Sequence, residues 1–268
     1  MTRFAAKLIP AALALVLGAC ATVPAPVVAP TAPADRPLSE RVPASPAEAR
    51  AKAHVELGMA YLQAGRFDVA LDEASTALRD VASYAPAFHL KALIHMFVDD
   101  AAQADADFRR ALAEAPGDPD FNNSYGWFLC SRDRIDDGLA RLAVAARNPY
   151  YRTPTRPYTN AGLCHLRRND DAAAAQQFLR AVDTDPANTQ ALYQLASIAY
   201  RKGDYADARS YLIRLHQQSE PTAGTAWLGL RTERRLGNRD AEASYATQLR
   251  SRFSASPEFL LMQQGKYE

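Results

Sequence analysis

Three pairs of adjacent aspartates, five histidines and three cysteines are the residues here whose types could do chemistry. Asp99-Asp100, Asp136-Asp137 and Asp170-Asp171 each offer two carboxylates, as an acid–base or metal site would need. Their placement argues against that use. Each pair falls at or near a turn that would precede a helix, where carboxylates cap free amides and meet the positive end of the helix dipole. His54, His89, His95, His165 and His216 lack zinc-type spacing such as HExxH. The sequence also lacks a glycine-rich phosphate loop and a GxSxG nucleophile elbow. Arg231, Arg234, Arg235, Arg239, Arg250 and Arg252 could meet an acidic partner, but Glu233, Asp240 and Glu242 are interspersed, as on a solvated face. No catalytic residue, metal site, cofactor or small-molecule substrate is expected, so the chain reads as a non-enzyme.

Charge excludes a further class. Lys and Arg total 31 against 30 Asp and Glu in 268 residues, a net +1. From Cys20 onward the count is 29 against 30, a net −1. A nucleic-acid binder would carry a basic footprint that this balance lacks. Apolar residues make up 48% of the chain, many of them alanine, and glycine is held to 12. That composition favours helices, because alanine loses no side-chain entropy in one.

The first 19 residues are an address. Arg3 and Lys7 form a short basic start, Leu8 to Val16 an apolar run too short for a stable membrane span, and small residues follow. Leu17-Gly18-Ala19-Cys20 resembles the bacterial lipobox. That resemblance implies cleavage before Cys20, a diacylglycerol on its thiol and an acyl chain on the new amine. Each buried methylene of such chains contributes roughly 0.8 kcal/mol to anchoring. Residue 21 is alanine and not the aspartate of inner-membrane retention, which implies the outer membrane, on its periplasmic side. Seven prolines between Ala21 and Pro46 exclude regular helix or sheet there. Residues 20–47 therefore read as a lipidated tether that could reach roughly 80 Å in polyproline form, at about 3.1 Å per residue. No second apolar run of membrane length follows, so the rest of the chain is expected to be soluble.

From Ala51 the chain repeats with a period of 34, the length of a tetratricopeptide unit. That unit wants small residues at positions 8 and 20, a large apolar residue near 24 and alanine near 27. The copies starting at Ala51, Ala85, Pro119, Thr155 and Thr189 supply Gly58, Ala92, Gly126, Gly162 and Ala196 at position 8. They supply Ala70, Ala104, Gly138, Ala174 and Ala208 at position 20, with a two-residue slip within 150–154. A sixth copy from Ala223 keeps Gly237 but has Glu242 where alanine is expected. Terminal repeats are commonly atypical because they cap a stack. The expected architecture is an all-α superhelix of about six repeats over residues 48–262, followed by a tail at 263–268.

Cys130 and Cys164 remain as an even pair in an oxidising compartment once Cys20 is lipidated. They fall at positions 12 and 10 of the first helices of neighbouring repeats. Two positions differ by about 200° around a helix, so side chains of roughly parallel neighbours can meet. A cross-repeat disulfide is one reading; two buried free thiols are the other.

Two segments exceed what a generic repeat requires: Asn122-Asn123-Ser124-Tyr125-Gly126-Trp127-Phe128-Leu129-Cys130 and Asn160-Ala161-Gly162-Leu163-Cys164. With Gly65–Leu71 and Trp227–Gly237 they resemble the tetratricopeptide pilotin lipoproteins of type IV pilus biogenesis, the PilF/PilW type. The resemblance covers roughly residues 48–260 plus the lipobox, and the cysteine pair matches the family's at both positions. It implies a protein that binds the pilus secretin and helps that pore reach the outer membrane and form its multimer. Ala82, where proline is usual, and the weak sixth copy depart from the pattern. The alternative is a periplasmic scaffold for another envelope complex.

Positions 2, 5, 9, 12 and 13 of each first helix tend to line the concave face of such a stack. In the first two repeats they include Val55, Met59, Leu62, His89, Leu93, Met96 and Phe97, an apolar set for a surface. The later repeats place Arg156, Arg167, Gln190, Ser197 and Arg201 there. An amphipathic helix or apolar peptide is expected to dock at the N-terminal end, unless the proline-rich segment or packing within the stack covers that face.

Overall fold

The computed structural model describes residues 36–267; Cys20 and the signal segment lie outside them. Six antiparallel helix pairs follow one another: α1 Pro46–Gln63 and α2 Phe67–Asp80, α3 Ala85–Phe97 and α4 Ala101–Glu114, α5 Pro119–Ser131 and α6 Ile135–Ala146. Next come α7 Thr155–Arg167 and α8 Asp171–Thr184, α9 Thr189–Lys202 and α10 Tyr205–Gln218, α11 Ala223–Leu236 and α12 Arg239–Arg252. A short α13, Pro257–Gln263, closes the stack. There is no strand among the described residues. The chain is an all-α tetratricopeptide stack. None of its described helices is long and apolar enough to cross a membrane.

The small residues do what the repeat period implies. Ala70, Ala104, Ala174 and Ala208 are fully buried, and a Cβ added at Gly162 would meet the Phe178 ring at 2.5 Å. The large residue of each pair fills the space so created. Phe108 and Phe178 have no exposed surface, and burying such a side chain contributes about 1.5–3 kcal/mol.

The turn inside each repeat uses one backbone device six times. Position 15 is left-handed throughout: Gly65, Asp99, Asp133, Asn169, Gly203 and Gly237 have φ between 59° and 86°. Glycine adopts that conformation freely, and Asp and Asn tolerate it better than other residues. This, with capping, is what the aspartate pairs are for. Asp100 and Asp170 accept the backbone N–H groups of Gln103 and Ala173 at the starts of α4 and α8. Asp136 and Asp137 differ: they lie in the first turn of α6, whose N-cap Arg134 makes no side-chain cap. Arg134 instead holds Asp137 at 2.7 Å. Arginines just before these turns also pair with acids of the preceding repeat. Arg132 meets Asp99 at 2.5 Å, Arg168 meets Asp136 at 2.7 Å and Arg201 meets Asp171 at 2.7 Å. Such exposed pairs contribute only about 0–1 kcal/mol each.

Three features at the ends depart from the sequence reading. In the sixth repeat the close approach falls on Gly229, where a Cβ would stand 2.5 Å from the Tyr245 ring. Glu242 is half-buried and pairs with Arg234 at 2.8 Å. The expected tail is partly packed, since Tyr267 stacks on Trp227 with ring centroids 5.6 Å apart. At the other end the helices begin at Pro46, capped by Ser45, whose side chain accepts the Glu48 amide. Residues before it, assigned to a free tether up to 47, are partly docked. Leu38–Glu40 form a 3-10 turn, and the Leu38 amide donates to Asp118 at 2.8 Å.

Candidate protein-binding groove

The first helices of successive repeats sit side by side, and their inner faces enclose a groove of about 890 Å³. Val55, Met59, Leu62, His89, Leu93, Met96 and Phe97 all line it. Their exposure differs widely. Leu62 is 8% exposed and belongs to the core between α1, α2 and α3, whereas Phe97 is 62% exposed. Phe97 is held by stacking on Phe67, centroids 6.1 Å apart. Val55, Met59, Leu93 and Met96 are half-buried, each with one side packed on a core cluster.

The groove runs further than the first two repeats. Phe121 and Trp127 of α5 continue the apolar wall, and Arg156, Thr159 and Asn160 of α7 with Asn188, the N-cap of α9, and Gln190 of α9 add a polar one. Of the later-repeat residues expected on the concave face, Arg156 and Gln190 share this cavity; Arg167, Ser197 and Arg201 do not line it. Positions 5 and 9 of the third repeat are Asn123 and Trp127, so the positional rule that found Met59 and Leu93 also finds them when carried one repeat further. Phe67 and Ser39 have no such signal, since neither lies on a first helix.

The asparagines of the polar wall are bonded internally. Asn160 donates its amide to the Asn123 side-chain oxygen at 3.0 Å. The Asn188 amide donates to the hydroxyls of Thr155 and Thr159 at 2.7 and 2.8 Å. These bonds join α5 to α7 and α7 to the start of α9, fixing the spacing of the first helices.

His89 is electrostatically silent at neutral pH. Burial, with Arg156 adding, pushes its pKa down to about 3. Its ring lies 4.7 Å from that of Phe121 and 6.1 Å from that of Phe108, so it acts as part of the apolar wall. At the rim, burial raises the Asp118 carboxyl to about 6, although three backbone amides donate to it. Burial also raises Asp120.

Beneath the groove, the sulfurs of Cys130 and Cys164 lie at bonding distance, 2.08 Å, with Cα atoms 5.5 Å apart. Both residues are fully buried, next to Leu142. Among the described residues, no group of three or more His, Cys, Asp or Glu side chains is arranged to hold a metal ion. The close histidine–carboxylate pairs, His54–Glu73 at 2.6 Å and His95–Asp107 at 3.0 Å, each tie the two helices of one repeat together.

A tetratricopeptide-repeat family model matches residues 159–224. The type IV pilus assembly protein PilF of Pseudomonas aeruginosa is 29% identical over 214 residues, covering 80% of this chain and 85% of that protein. The crystal structure of PilW, described as a widely conserved type IV pilus biogenesis factor, superposes with a TM-score of 0.72 at 27% identity. That match covers 80% of this chain and 98% of PilW. A solved structure of Pseudomonas aeruginosa PilF gives 0.75 at 27% identity, covering 83% of this chain and all of that one. The chain is a tetratricopeptide-repeat homologue of PilF and PilW. Cellulose synthase operon protein C of Pseudomonas fluorescens is 28% identical over 130 residues, but that is 45% of this chain and 10% of that protein. The PilF and PilW matches cover 80–83% of this chain, against 45% for that one. Tetratricopeptide proteins of pilus biogenesis bind other proteins.

Proposed function

We propose that this PilF/PilW homologue is a non-enzymatic pilotin. Lipid-anchored through Cys20 at the periplasmic side of the outer membrane, it binds the type IV pilus secretin and promotes its multimerisation there. The observation that carries the reading is the continuous groove across the first helices, apolar at Met59, Leu93, Phe97 and Trp127 and closed on one side by satisfied amides. It offers a client peptide apolar seats without any group that would do chemistry on it. The lipobox at Leu17–Cys20 supports an anchored binder. A tethered binder raises the local concentration of its client, to mM levels for short linkers, and multimerisation depends steeply on that concentration.

The test of the groove is capture of the secretin from detergent-solubilised membranes by the unaltered chain and by Met59→Asp and Leu93→Asp, each checked for native helicity. A carboxylate forced into either apolar seat is expected to cost at least tenfold in recovery, about 1.4 kcal/mol. Undiminished recovery by both folded variants would contradict the groove assignment.

A further inference from the structure

The row of first helices ends in α9 and α11, and there one arginine stands apart from its neighbours. Arg209 holds Glu233 at 2.8 Å, Arg234 holds Glu242 at 2.8 Å and Arg252 holds Glu220 at 3.1 Å. Arg231, half-buried on α11, meets no carboxylate among the described residues. Its guanidinium carbon lies 4.6 Å from the ring centroid of Tyr200 on α9 and 5.5 Å from that of Trp227, one turn back on α11. Such ring contacts attract the charge but bond none of the five N–H donors. The Arg231 Nε is buried without a hydrogen-bond partner, the only arginine nitrogen among the described residues of which this holds, while its terminal nitrogens stay open to solvent. The Tyr200 hydroxyl is likewise buried and unbonded.

We propose that Arg231 is a receptor for a carboxylate on an acidic segment of a partner protein, a second binding point outside the groove. The inference rests on the chain being a protein-binding scaffold. A staple between α9 and α11 needs no charge, since an apolar side chain would fill the same gap without a buried, unbonded donor. Partly stripped of water and unpaired, this cation attracts an anion more strongly than a fully hydrated arginine does. A carboxylate meeting the two terminal nitrogens end-on makes two parallel, charge-assisted hydrogen bonds. One guanidinium matches the two oxygens and the single charge of that group. A phosphate would leave charge unmet, because Arg209 and Arg234 are already committed to Glu233 and Glu242. The partner is then read at two places, by its apolar residues in the groove and by an acid at the far end of the stack.

The detergent-solubilised full chain carrying Trp127→Phe tests this, because Trp227 is then its only tryptophan and its emission reports on the guanidinium beside it. The probe is a synthetic peptide of alternating glycine and glutamate, capped at both ends, with the glycine–glutamine peptide as its uncharged match. The glutamate peptide should change the emission saturably, less so in added salt, and the glutamine peptide should not. Arg231→Gln should weaken the binding about tenfold. Arg231→Lys keeps the charge and the long stem but not the paired donors, so it should also weaken binding several-fold with melting of the repeats unchanged. No saturable response, or one undiminished in the folded Arg231 variants, would overturn the receptor. An equal response to acetate or phosphate at the same anion concentration would also overturn it, by assigning the site to free anions. Trp127 of the groove is removed and no secretin is present, so failure here is distinguishable from failure of the groove assignment.

Discussion

A Cβ added to Gly138 would stand 2.5 Å from the Sγ of Cys130 and 2.6 Å from the carbonyl oxygen of Gly126. The two helices of the third repeat are therefore in backbone contact beside the cysteine pair. Other repeats place alanine at this position, as Ala104 and Ala174 do, both fully buried. Gly138→Ala is expected to lower stability by about 1–3 kcal/mol, the usual cost of overpacking. The measurement is urea denaturation of the folded body, and a change below a few tenths of a kcal/mol would show that α5 and α6 separate without strain.

The sulfurs of Cys130 on α5 and Cys164 on α7 lie at bonding distance, across a boundary where the chain carries its two-residue slip. A stack whose repeats contact mainly their neighbours is weakened most where one interface fails. Peptide mapping without reductant should find the two cysteines joined in protein recovered from an oxidising compartment. Cys130→Ser with Cys164→Ser should lose about 3–4 kcal/mol for a loop of this length. Two free thiols in the mapped protein would refute the link.

His89 sets a pH dependence with a definite sign. Its pKa is near 3 in the folded chain against an ordinary 6.5, so between these values the unfolded chain binds a proton that the folded chain does not. Stability present at pH 7 should fall as the pH drops through 6.5 toward 3. Asp118, raised to about 6, works oppositely, because its neutral form is favoured in the fold. The clean measurement is the difference between the unaltered chain and His89→Leu, followed from pH 7.5 to 4. The stability gap should shift in favour of His89→Leu on acidification; a gap independent of pH would contradict the buried, neutral assignment.

The left-handed turns give a graded prediction. Asn169→Ala should cost less than about 1 kcal/mol, because both residues carry the Cβ that the left-handed backbone crowds and only the short polar side chain of asparagine offsets that by local hydrogen bonding. Asn169→Gly should match or exceed the parent in stability, as the glycines at 65, 203 and 237 imply. Thermal melting of the three proteins checks the order Gly ≥ Asn > Ala; a glycine variant less stable than the parent would show that the side chain of Asn169 contributes more than the relief of its left-handed backbone.

The period-34 arithmetic made the helical body legible because one residue type at positions 8 and 20 is forced by backbone approach. That holds even where the residue is Gly138 and not alanine. The sixth repeat starts at Ala223 and turns at Gly237 as the period requires, but its close approach falls on Gly229 against Tyr245, one residue before position 8. Half of the groove was legible for the same reason: Met59, Leu93 and Phe97 sit at fixed positions of first helices. Phe67 reaches the groove from a second helix, and Ser39 from a segment 81 residues before its partner Asp120. No periodicity carries such contacts, which is why residues 38–40 look like free tether in the sequence. The aspartate pairs looked alike in sequence yet separate in three ways, as left-handed turn residues, caps and first-turn acids, because the N-cap of α6 is an arginine.

The central claim, that this homologue acts as a pilotin, is tested most directly by a clean deletion in its own host, with secretin multimers followed on gels of unheated outer-membrane samples. The account predicts that the heat-resistant multimer is mostly lost, with monomer accumulating or mislocalised. Restoring the chain should rescue the multimer, and Cys20→Ser should not. Normal heat-resistant multimers in the outer membrane of the deletion strain would contradict the claim and leave a scaffold for some other envelope complex.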